Sequence, residues 1–116
     1  MFDHLSIHVK NLAQSKQFYL QVLKPLGHKL AMEYPQAACF GMNSQFTIAQ
    51  GTPSNTHIAF TAKSRKEVNS FHEAALKNGG KDNGAPGIRS EYGDNYYAAF
   101  VYDLDGNNLE AVYYES

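Results

Sequence analysis

Residues 2–9 alternate: Leu5, Ile7 and Val9 fall on one side, His4, Ser6 and His8 on the other. A period of two residues is that of a strand with one apolar face. From Asn11 the period lengthens. Leu12, Ser15, Phe18, Tyr19, Val22 and Leu23 recur at helical spacing, Gln14 stands three residues after Asn11 as a capping partner, and Pro25 and Gly27 stop the helix. Three short strands are expected near 28–34, 37–42 and 45–50, with turns at Tyr34-Pro35-Gln36 and Met42-Asn43-Ser44. Residues 51–55 have linker composition. Alternation resumes at Thr56, with Ile58, Phe60 and Ala62 opposed to His57, Ala59 and Thr61. Ser64-x-x-Glu67 opens a second helix with Val68, Phe71, Ala75 and Leu76 as its buried stripe, and Gly79-Gly80 closes it. Residues 81–94, rich in Gly, Asn, Asp and Pro, read as a short strand and a long loop. The last two strands are 96–102 and 108–114, joined by a tight turn at 103–107.

The two halves also share residues at an offset of 53. His4-Leu5-Ser6-Ile7 matches His57-Ile58-Ala59-Phe60, and Lys10, Phe18, Leu23, Lys24 and Gly27 match Lys63, Phe71, Leu76, Lys77 and Gly80. A constant register over about 24 residues implies a duplicated unit. The expected fold is α+β: two β-α-β-β-β modules, about 1–51 and 56–116, in one domain of 116 residues. Each unit alone is marginal in size, so the two should share a core. They are expected to form one curved, cup-shaped mixed sheet with helices on its outer face. Its inner face carries His4, Ser6, His8, His57, Ala59, Thr61, Glu110, Val112 and Tyr114, too polar a set for a second buried core.

Composition narrows the partners. A net charge of −1 makes no electrostatic case for nucleic acid or an acidic membrane. No apolar run is long enough to span a bilayer, and the N-terminus has no signal-peptide pattern. The single cysteine, Cys39, fits a reducing compartment, so a cytoplasmic location is expected. Eight tyrosines and seven phenylalanines without tryptophan suggest an aromatic core or pocket.

The candidate chemistry lies on the inner face. His4 and His57 occupy equivalent positions of the repeat, and Glu110 interrupts an otherwise apolar strand. A carboxylate there is costly unless it is paired or bound to a metal. Two imidazoles and one carboxylate form a facial set for Fe, Mn, Zn or Ni that leaves coordination positions open. His8 lies about 13 Å along the strand from His4, too far to share its metal, and is expected beside the substrate. His28 and His72 are expected to face solvent.

The chain resembles the vicinal oxygen chelate superfamily, which includes glyoxalase I, extradiol dioxygenases, fosfomycin-resistance proteins and the metal-free bleomycin-resistance proteins. The resemblance is carried by Phe2-Asp3-His4, Ser15-Lys16-x-Phe18-Tyr19, His57-Ile58-Ala59-Phe60, Asn83-Gly84-Ala85-Pro86-Gly87 and Asp103-x-Asp105-Gly106-Asn107-Asn108-Leu109-Glu110-Ala111-Val112. It implies paired modules and a divalent metal in the cup, held by His4, His57 and Glu110. Glyoxalase I has a second carboxylate where strand 45–50, laid on strand 107–112, puts Ile48. Ile48 cannot ligate or take a proton, which argues against that chemistry and leaves Ile48 lining the substrate space. Gln50 is a neutral alternative ligand. Close relatives read His-Tyr-His-x-x-Tyr-Tyr where this chain has Glu91-Tyr92-Gly93-Asp94-Asn95-Tyr96-Tyr97. The acid-base group is therefore expected to be Tyr92, Tyr96, His8 or a metal-bound water, with Arg89 available to an anionic part of the substrate. The chain lacks the C-terminal extension of the fosfomycin enzymes, which argues against that substrate.

The expected function is that of a small metal-dependent lyase, transferase or dioxygenase acting on a small oxygenated substrate, and assembled as a homodimer. The alternative is a non-catalytic binding protein of the bleomycin-resistance type.

Overall fold

A computed structural model of the chain describes residues 1–116. The first module comprises β1 (Leu5–Val9), α1 (Leu12–Leu23), β2 (Leu30–Tyr34), β3 (Ala37–Phe40) and β4 (Phe46–Gln50). The second comprises β5 (His57–Thr61), α2 (Arg65–Lys77), β6 (Lys81–Ile88), β7 (Tyr96–Tyr102) and β8 (Asn108–Tyr114). The fold is α+β, built from paired β-α-β-β-β modules.

The sheet arrangement differs from the expectation in one respect. Each module closes its own four-stranded sheet, in the order β1-β4-β3-β2 and β5-β8-β7-β6, so there are two sheets and not one. In each, the first strand pairs in parallel with the last, and the other pairs are antiparallel. Alternation along a strand specifies which face is buried; it carries no information about which edge finds a partner. The modules are joined instead by packing. α1 lies against α2, and the Phe46 and Phe60 rings meet edge to face at 5.4 Å. A single cluster of 21 buried apolar residues draws on both modules, with Phe18 and Phe71 at equivalent positions within it.

Local signals explain the helices. Asn11 Oδ1 accepts from the Gln14 amide, and Ser64 Oγ accepts from the Glu67 amide. Glu67 in turn accepts from the backbone N–H of Lys63, closing the capping arrangement one residue early. No helix is long and apolar enough to cross a membrane.

Residues 81–94 differ from expectation. β6 runs for eight residues, with register shifts at Asp82/Gly84 and Gly84/Gly87. It lies at the sheet edge, where Pro86 and bulged glycines cost little because one side of the strand needs no partner.

The turn after β7 is a polar clamp between the modules. Asp103 accepts from the backbone N–H of Asp105 and Asn107, from the Asn107 side chain at 2.8 Å, and from the buried Tyr19 hydroxyl of α1. Asn107 accepts from the Thr56 amide at the entry to β5. Asp105 accepts from the Lys10 amide ahead of α1. Burial, with the Asp103 carboxylate beside it, pushes the Tyr19 hydroxyl well above the usual tyrosine range.

Candidate metal centre

Glu110 sits in the middle of β8, between Leu109 and Ala111, which are both in the core. Its side chain points to the opposite face and is nevertheless buried, at 3% exposure. The strand register gives the reason. Ala59 of β5 and Phe100 of β7 are its lateral neighbours, one too small to push it outward and the other large enough to cover it.

His57, at the first position of β5, lies over the same spot. Its Nε2 is 3.1 Å from Glu110 Oε1, and its Nδ1 bonds to the Asn108 carbonyl at 3.0 Å. The carbonyl can only accept, so Nδ1 carries the proton and Nε2 is left toward the carboxylate. The imidazole also stacks on the Phe100 ring, with centroids 6.3 Å apart. The other carboxylate oxygen, Oε2, accepts from the Tyr96 hydroxyl. Burial, then the Glu110 carboxylate, raises the Tyr96 hydroxyl above its ordinary range. Tyr96 therefore acts as a hydrogen-bond donor to Glu110. Its ring packs between Tyr92 and Tyr114, at 5.2 Å from each.

Two donors about 2.0–2.2 Å from one ion and at right angles lie about 3 Å apart. The His57–Glu110 separation fits that requirement, and a neutral imidazole nitrogen with a carboxylate suits a first-row divalent ion. Asn108 and Tyr96 are the outer partners that fix ring and carboxylate.

Of the remaining expected site residues, His4, His8 and Ile48 fall elsewhere. His4 stands ahead of β1, exposed, with Nδ1 2.7 Å from Asp3. Within one chain, no three of His, Cys, Asp and Glu come together in a metal-holding group. His8 lies exposed on the corresponding face of the first sheet. Its ring packs so closely over Gly51 that a Cβ there would lie 2.9 Å from Cγ, which accounts for glycine at that position. Tyr92 is largely exposed beside Tyr96.

Ile48 does not line the substrate space as expected. It is fully buried and pairs with Ile7 in the core, facing the helix layer. The strand pairing gives the reason. His57 sits opposite Asn108 and Leu5 opposite Phe46, so the repeat matches Glu110 with Thr47, one residue before Ile48. A one-residue slip reverses the face of every side chain. Thr47 donates to Cys39 Sγ at 3.3 Å and offers no second carboxylate. Gln50 is likewise committed elsewhere, accepting from the Leu12 amide and donating to the Lys10 carbonyl at the start of α1.

Sequence reasoning passed over Asn108 and Phe100. Phe100 shares the parity of Tyr96 on β7 and was legible on that ground. Asn108 acts through its backbone carbonyl, which leaves no trace in residue identity.

The family model described as Glyoxalase/Bleomycin resistance protein/Dioxygenase superfamily matches residues 1–111. The chain belongs to this superfamily. A glyoxalase/bleomycin resistance protein from Albidiferax ferrireducens T118 is similar over 99% of both chains, with 30% identity and a TM-score of 0.87. A glyoxalase/bleomycin resistance protein/dioxygenase family enzyme from Burkholderia phytofirmans PsJN superposes with a TM-score of 0.76 at 14% identity, covering 97% of this chain and 98% of its own. Lactoylglutathione lyase from Agrobacterium tumefaciens gives 0.71 at 15% identity, over 97% and 92%. These last two show likeness of fold. A comparison with curated proteins found no match.

Proposed function

We propose that the chain is a metal-dependent enzyme of this superfamily, acting on a small substrate through vicinal oxygens. The observation that carries the reading is the buried Glu110 carboxylate 3.1 Å from His57 Nε2, with both groups oriented by outer hydrogen bonds. His57 and Glu110 would hold a divalent ion, and His4 of a second copy would supply the third donor, which makes the homodimer the working form. A divalent ion in such a site supplies Lewis acidity, stabilising negative charge that develops on a substrate oxygen. Around it, Asn108 fixes the imidazole tautomer and Tyr96 holds the second carboxylate oxygen. Tyr92 stands at the open side, available to donate or accept a proton at the substrate.

The alternative is a small-molecule binding protein without chemistry. It is favoured by the absence of a three-donor group within one chain.

The test is metal analysis. Protein purified metal-free is reconstituted separately with Mn²⁺, Fe²⁺, Zn²⁺ and Ni²⁺, dialysed, and its bound metal measured. One ion per chain is expected, with loss of at least tenfold in affinity for His57→Ala and Glu110→Ala. Equal metal retention by parent and variants would overturn the assignment of these ligands. No retention by the parent, together with saturable binding of a small ligand, would favour the binding protein.

A further inference from the structure

The chain has two arginines, and they are treated differently. Arg65 packs over Tyr97 at 4.5 Å and spends its charge on Glu115, held through Nε and Nη2. Arg89 packs over Phe100 at 5.4 Å and forms no ion pair; its one hydrogen bond runs from Nη2 to the Ala85 carbonyl at 2.7 Å. A half-buried guanidinium with no counter-charge is costly to keep unless an anion arrives.

Its place is specific. Phe100 is the residue that lies opposite Glu110 and stacks with His57, so Arg89 stands one aromatic ring away from the His57–Glu110 pair. β6 makes room for it. A Cβ at Gly84 would lie 3.0 Å from Nη2, and one at Gly87 would lie 3.2 Å from Nη1. Two glycines and a carbonyl thus seat one plane of the guanidinium, while its remaining N–H donors are uncommitted. On the same sheet face lie the small side chains of Ala59, Ala98 and Val112, the last two buried.

We propose that Arg89 is the specificity-determining residue of the site, receiving an oxyanion that the substrate carries beyond its vicinal oxygens. A planar fork matches a carboxylate through two parallel hydrogen bonds, and a phosphate by the same geometry. The substrate class is then a small hydroxy- or oxo-acid with a second anionic group. This inference rests on the metal-chelate reading above.

The test uses the full chain with and without Mn²⁺, and calorimetric titration of three probes. Malate has a hydroxy-acid end and a second carboxylate, 3-phosphoglycerate replaces the latter with a phosphate, and β-malamate replaces it with a neutral amide. Malate is expected to bind about tenfold tighter than β-malamate, the scale of a charge-assisted bidentate contact. Arg89→Gln should abolish the preference and Arg89→Lys restore part of it. Gly87→Ala, which crowds Nη1 and needs no unusual backbone angle, should weaken malate in the same direction. Stronger binding of 3-phosphoglycerate than of malate would assign the anion as phosphate. Equal binding of malate and β-malamate to the parent, or an intact preference in Arg89→Gln, would overturn the proposal. Bound Mn²⁺ without charge preference overturns Arg89 alone; charge preference without Mn²⁺ binding overturns the metal reading and leaves Arg89 standing.

Discussion

At the scale of single residues, Glu110 and Tyr19 show how burial is made tolerable by a hydrogen-bond partner. Glu110 is buried; Oε2 accepts from the Tyr96 hydroxyl, and Oε1 faces His57 Nε2. Tyr96→Phe removes the donor and leaves one carboxylate oxygen short of a partner. The expected result is a loss of about 1–2 kcal/mol in urea unfolding and a fall of about tenfold in metal affinity; unchanged metal affinity would deny Tyr96 its supporting role. Tyr19 gives a pH-dependent case. Its hydroxyl is raised by burial and then by Asp103, so the native state keeps a proton that the unfolded chain releases near pH 10. The stabilisation is therefore complete below about pH 10 and is lost as pH rises through the folded value. Tyr96, raised for similar causes, adds in the same direction. Urea midpoints measured from pH 8 to 11 should fall with pH, and less steeply in Tyr19→Phe; parallel curves would rule out Tyr19 as a source. At pH 8 that variant should itself lose about 1–3 kcal/mol, because Asp103 forfeits a buried donor.

At the scale of elements, caps and stripes decide the helices. Ser64 satisfies the Glu67 amide at the start of α2, and Ser64→Ala should cost about 1 kcal/mol by chemical denaturation. Both helix spans were legible from periodicity and caps, since those signals lie within one or two turns of chain. The strand ladders were legible as alternation. Two matters were not. Edge position turned the glycine-rich stretch after α2 into the long strand β6, and hydrogen-bond register moved Glu110's counterpart from Ile48 to Thr47. Propensity reads composition, whereas an edge strand tolerates a composition that a central strand does not.

At the scale of the molecule, the modules meet through helices, aromatic rings and the Asp103 clamp. The homodimer of the proposed reading predicts a particle of twice the 12.9 kDa chain mass by light scattering. It also predicts complementation. His4→Ala and Glu110→Ala chains, unfolded together and refolded as a mixture, should recover metal binding that neither has alone, since one site in each mixed dimer would be intact. A monomeric mass, or no recovery in confirmed mixed dimers, would place the third donor elsewhere.

The duplication, the helices, the inward parity of His57 and Glu110, and the family were all present in the order of residues, because repeats, periods and caps are local properties. The meeting of His57 with Glu110 rests on β5 lying parallel to β8, a pairing across 51 residues between His57 and Asn108. The division into two sheets, the separation of His4 from that pair, and the seating of Arg89 over Phe100 have the same origin. Each depends on which edges join and how faces pack, and alternation along a strand is the same whichever neighbour the strand acquires.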